Sequence, residues 1–215
     1  MSRAASPSAE DDRRAQSWLH AAANPEIAKA IDDIYAHVVS EIARRGPACW
    51  ASGRCCNFEA HGHRLYVTAL ETALTFHRLA PAARPTAEDI DRARSVGGCP
   101  FQQGNLCGIH DVKPLGCRVY FCDRSAESWQ HELTEAALAS LRQLHDQLGI
   151  EYLYAEWRGV LELLVTGTAA TTPEGSAAST AGVGRDAARD INCNRSSVAK
   201  SDPVGLTIRG NRPFG

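Results

Sequence analysis

Ile27, Ile31, Ile34, Val38 and Ile42 recur at spacings of four, three, four and four, which lines one face of an α-helix. Asn24, Pro25 and Glu26 supply its start: a capping side chain, a proline whose missing N–H is harmless in the first turn, and an acid facing the positive end of the dipole. Gly46 and Pro47 stop it near Arg45. Farther on, Arg64–Val67 reads as a short strand, and Thr68 with Glu71 has the spacing of a capping box that opens a helix to about Leu79. Thr86 to about Val96 predicts another helix, closed by Gly97 and Gly98. Leu133, Ala137, Leu141, Leu144 and Leu148 keep helical spacing within a helix predicted over 126–148, and Tyr152–Leu164 is expected to continue as one more.

Two stretches lack such a period. One follows the first helix stop and reads CWASGRCC, from Cys49 to Cys56; the other, Cys99–Cys122, runs through Gly, Pro and Asn and is expected to be irregular, with a small hairpin. Residues 1–17 are small, polar and charged, and 166–215 are rich in Ala, Thr, Gly and Ser, so both ends are expected to be disordered tails. No repeat of solenoid length is visible. The expected fold is therefore mainly α: a single small helical domain over 18–165 with two irregular cysteine-bearing loops converging on a metal centre.

A length of 215 residues suits one domain with a proper core, and 44% hydrophobic with 22% charged residues is a globular composition. A net charge of −2 shows no bias toward nucleic acid or an anionic membrane. The N-terminus lacks the apolar run of an export signal, and nowhere is there an apolar stretch long enough to span a bilayer. The expectation is a cytoplasmic protein that binds neither nucleic acid nor membrane and whose protein partner or substrate is unknown. In a reducing compartment, clustered thiols point to metal or redox chemistry before a disulfide frame.

The thiols in question are Cys49, Cys55, Cys56, Cys99, Cys107, Cys117 and Cys122, with Cys193 far away in the C-terminal segment. Thiolate is a soft, anionic donor that suits either zinc or an iron–sulfur cluster. The spacings C-x5-C-C, C-x7-C, C-x9-C and C-x4-C are unlike the short paired knuckles of zinc fingers. In extended backbone, adjacent Cys55 and Cys56 point to opposite sides, so they are not expected to share one small ion. Seven thiols fill one four-thiolate site with some left over, and fall short of two such sites. Four thiolates around a dication leave an excess negative charge, for which Arg54, Lys113 and Arg118 are the neighbouring cations.

His61 and His63 follow closely and either complete a mixed site or sit on a solvated turn before the Arg64 strand. Trp50, Phe58, Tyr120 and Phe121 flank the cysteines and either exclude water from a centre or simply belong to the core. No dinucleotide-binding glycine fingerprint, phosphate-binding loop or H-E-x-x-H helix is present, which counts against a nucleotide-driven enzyme or a zinc protease.

Read as C-x2-S-x2-C-C, the first stretch combines with Cys99-Pro100-Phe101, with Cys107-Gly108-Ile109-His110, with Lys113-Pro114 followed by Cys117-Arg118, and with Cys122. In this order the pieces resemble the C-x-x-C-x-x-C-C cysteine-cluster family, named for a proposed zinc- or iron-chelating role, over Cys49–Cys122. The resemblance implies a metal-binding function. Through the family's flagellin lysine N-methylase branch it also allows a protein-modifying enzyme, and a metal-stabilised interaction module is the third reading. It places Arg118 as an outer hydrogen-bond donor to the thiolates and His110 as a residue that orients its loop. Ser52 departs from the pattern, standing where the family has its second cysteine; a hydroxyl is a harder and far less acidic donor than a thiol.

Overall fold

The computed structural model describes residues 8–47, 51–123 and 126–169, all within the compact unit Met1–Glu174. Cys49, Trp50, Cys193, residues 1–7 of the first expected tail and 170–215 of the second lie outside the described residues.

The first helix, α1 (Ala9–Ala22), corrects the expectation of a tail through residue 17. Ser8 and Asp11 form a reciprocal capping box, with the Asp11 N–H donating to Ser8 Oγ over 3.2 Å. The buried face consists of Ala15, Trp18, Ala21 and Ala22, so its apolar stripe is mostly alanine and escapes a search for large hydrophobic residues. Distant partners secure the helix. Arg14 pairs with Glu151 at 2.6 Å, and the Trp18 indole N–H donates to the Glu151 carbonyl over 3.0 Å. A Cβ on Gly167 would stand 2.6 Å from the Ala15 Cβ, so glycine there lets two helices touch.

The next helix, α2 (Pro25–Arg45), follows its predicted bounds, with Asn24 Oδ1 accepting from Glu26 N–H and Gly46 closing the end in the left-handed conformation at φ 62°. The strand β1 (Tyr66–Thr68) leads into α3 (Ala69–Arg78) through the predicted Thr68–Glu71 box, and α4 (Ala87–Ser95) starts from Thr86. The expected hairpin is β2 (Gln102–Gln103) with β3 (Leu106–Cys107). A short helix that the periodicity does not predict, α5 (Leu115–Val119), precedes α6 (Glu127–Leu148). Tyr152–Leu164 is not a continuous helix: Tyr154–Glu156 forms β4, antiparallel to β1 with Val67 opposite Ala155, before α7 (Trp157–Ala169) begins. Residues 166–169, expected in the C-terminal tail, are the end of α7.

The described residues are therefore mainly helical, with two small two-stranded sheets. In α3, every residue from Ala69 to Phe76 is buried, because α1 and α7 pack against it; α2 pairs with α6, and α5 touches both. Trp18, Ile31, Phe58, Leu70, Leu74, Ile90, Leu141 and Trp157 fill the core between these helices. Among the described residues, no helix is long and apolar enough to cross a membrane.

Candidate functional site

The cysteines occupy the irregular segments between α2 and α6. Cys55 and Cys56 lie in one turn of 3-10 helix, Arg54–Cys56, and their sulfurs are 4.0 Å apart. This overturns the expectation that they face opposite sides, which assumes extended backbone; a tight helical turn sets successive side chains on neighbouring directions instead. Two backbone hydrogen bonds fasten this segment to the one that begins the second cysteine group. The Cys99 N–H donates to the Cys56 carbonyl over 2.9 Å, and the Glu59 N–H to the Gly97 carbonyl over 3.1 Å. Gly97 has φ 71°, and a Cβ there would come within 2.7 Å of the Glu59 carboxylate, so glycine permits both the turn and the contact.

Arg158, in the first turn of α7, reinforces the join. Its buried guanidinium donates to Glu59 (2.9 Å), to Glu156 (2.8 Å) and to the Gly98 carbonyl (3.4 Å). Cys107 comes from β3, opposite Gln102, and Cys117 from α5. Because Pro114 gives α5 no side-chain cap, the cap comes from elsewhere: the Leu115 N–H donates over 2.9 Å to the buried carboxylate of Glu71. The same carboxylate accepts from the Tyr35 hydroxyl (2.7 Å), the Thr68 N–H (3.1 Å) and the Thr68 hydroxyl (2.9 Å). The capping box that sequence reveals thus also holds the helix carrying Cys117.

Cys56 is buried, with its sulfur 4.0 Å from that of Cys55. The arrangement separates their acidities. The Cys56 pKa is raised by its interactions with Cys107, Cys55 and Cys99, and by burial. Interaction with Cys56 lowers Cys55 to about 6 and Cys107 to about 7, and lowers Cys99 as well. The Lys113 ammonium lowers Cys55 and Cys107 further. Cys117 moves the other way, raised by burial and then by the Cys99 and Cys107 thiolates.

Lys113, four residues before Cys117, is therefore the cation that acts on the thiols. Arg118 has other partners: its guanidinium carbon lies 4.3 Å above the Tyr35 ring and it donates to the Asp111 carbonyl over 3.3 Å. His110 is exposed, and its Nε2 is 3.2 Å from the Lys113 ammonium, whose charge lowers the imidazole pKa. Ser52 and Cys122 meet at 3.2 Å, so the serine faces a thiol from the second cysteine group. His61 is exposed, whereas both ring nitrogens of His63 are shut off from solvent.

Thiols whose pKa is drawn below the ordinary value, as for Cys55, Cys99 and Cys107, ionise readily and are soft donors suited to thiophilic cations. Among the described residues, which omit Cys49, no group of three or more Cys, His, Asp or Glu side chains stands in an arrangement that could hold a metal ion. No protein-family model, curated protein or solved structure matches the chain. Sequence reasoning missed Glu71 and Arg158 as supports of the thiol segments; the Thr68–Glu71 box was the signal for the first, while Arg158 has no local motif.

Proposed function

We propose that this is a metal-binding protein whose thiolates hold zinc or an iron–sulfur cluster. The observation that carries the reading is the pair of Cys55 and Cys56 sulfurs 4.0 Å apart, on a segment joined to the second cysteine group by the Cys99 to Cys56 backbone bond. Soft sulfur donors of this number fit either metal. Cys55, Cys56, Cys99 and Cys107 are the first four ligand candidates, with Cys117, Cys122 and Cys49 as the remaining pool. When bound, the group would supply a compact positive charge that draws the thiolates together, and the chain's own part is to present sulfurs that ionise readily. Lys113 offsets the excess negative charge. A methyl-transfer activity rests on the family resemblance alone.

Anaerobic purification followed by metal and sulfide analysis tests the reading. At least about one metal equivalent per chain is expected, because a thiolate site that forms with the fold retains its metal. A visible absorption band with stoichiometric sulfide assigns an iron–sulfur cluster, and a colourless protein with one zinc assigns zinc. A chain that contains neither, and takes up neither when supplied, overturns the proposal.

A further inference from the structure

His63 is enclosed in a way that no hydrogen bond explains. Neither of its ring nitrogens reaches solvent or has a hydrogen-bond partner. A neutral imidazole carries one N–H donor and one lone pair, and burying both unpaired is unfavourable. Buried nitrogens left in that condition call for a specific cause, such as a water or an ion. The ring is held by packing instead: it stacks on Tyr120 with centroids 4.7 Å apart at 25°, and meets the Phe58 ring edge-on at 5.5 Å and 77°. Its backbone N–H donates to the Phe58 carbonyl over 3.1 Å. The imidazole is thus fixed in orientation while its nitrogens remain unclaimed.

Both rings that hold it belong to the thiol segments. Phe58 comes two residues after Cys56, and Tyr120 lies between Cys117 and Cys122. Cys122, two residues beyond Tyr120, meets Ser52 of the first cysteine stretch at 3.2 Å. The other histidines nearby differ. His61 is exposed and His110 is engaged with Lys113. At the far end of α6, His145 donates from Nδ1 to the Ile150 and Glu151 carbonyls, so at most one of its nitrogens is unclaimed.

We propose that His63 supplies an imidazole nitrogen to the metal held by the thiol segments, making the centre a mixed sulfur and nitrogen site. This rests on the thiolate reading above. Imidazole suits zinc and iron alike. Replacing one thiolate with a neutral imidazole also lowers the negative charge of the centre, which in a two-iron cluster raises its potential.

The test titrates metal-free full-length chain with Co2+ under anaerobic conditions and compares the wild type with His63→Phe and His61→Ala. Phenylalanine keeps both ring contacts and removes the lone pair. The wild type is expected to show thiolate-to-cobalt absorption together with a paramagnetically shifted, exchangeable imidazole N–H resonance. His63→Phe should lose that resonance and bind Co2+ at least about tenfold more weakly, since losing even an outer partner of a metal ligand has that effect. His61→Ala should change neither. Thiolate-to-cobalt absorption without the imidazole resonance, or with the resonance and affinity unchanged in His63→Phe, overturns the role of His63 and leaves the thiolate reading intact. Absence of thiolate-to-cobalt absorption overturns both. If His63→Phe does not fold, His63→Gln serves with the same expected losses.

Discussion

Glu71 and His63 are both shielded from water, and they meet that condition in opposite ways. The Glu71 carboxylate accepts four hydrogen bonds, from Tyr35, Leu115 and twice from Thr68, and so ties α2, α3 and α5 together. The His63 ring has aromatic neighbours and no hydrogen bond to either nitrogen. A buried polar group with every partner in place holds structure together. One without partners is unfavourable until something occupies it. The difference separates the scaffold from the proposed site, although both lie against the same cysteine-bearing segment.

That contrast can be broken most forcefully at Glu71. Replacing it with alanine strands the Leu115 and Thr68 N–H groups and the Tyr35 hydroxyl, so stability should fall by about 3 kcal/mol or more. Urea denaturation measures this, and a loss below about 1 kcal/mol would mean that the network is not what holds α5. In the metal-free chain, His63→Phe should have the opposite sign, raising stability by about 1–3 kcal/mol because two unpaired polar atoms leave the interior. If it destabilises the metal-free chain, His63 has a partner in solution and the contrast fails.

His145 is the intermediate case, completely buried with Nδ1 paired and Nε2 unpaired. Burial lowers its pKa below the ordinary value of 6.5. The unfolded chain then takes up this proton at a higher pH than the folded one. Its contribution to stability is complete above the ordinary histidine range and is lost as the pH falls through that range toward the lower folded value. Denaturation midpoints followed downward from neutral pH should show the decline, and His145→Asn should flatten it; equal slopes in the two proteins would refute the assignment. The smallest effect is expected at Ala51, which has φ 48° within the first cysteine stretch. Ala51→Gly should stabilise by about 1 kcal/mol by relieving left-handed strain, detectable as a higher melting temperature.

Much of the scaffold was legible because its signals are local. The isoleucine spacing and the Asn24 and Gly46 caps set the bounds of α2, and the Thr68–Glu71 box opened α3 at the expected residue. What escaped depends on residues distant in sequence. The buried face of α1 is largely alanine, and its anchor is Glu151. β4 exists because Ala155 pairs with Val67, and α5 is capped by Glu71. The cysteine list itself was legible from the sequence, but the relation between Cys55 and Cys56 was not, since it turns on a 3-10 turn that the spacing does not encode. The effect of Lys113 on the thiols, with Arg118 turned to the Tyr35 ring, likewise follows from three-dimensional placement.

On the proposed reading, Cys55, Cys56, Cys99 and Cys107 act together on one metal. Alkylation of the anaerobically purified chain, with and without prior chelation and with each cysteine quantified by mass spectrometry, addresses it most directly. These four thiols should resist labelling before chelation and become labelled together after it. Equal labelling before and after chelation would contradict it.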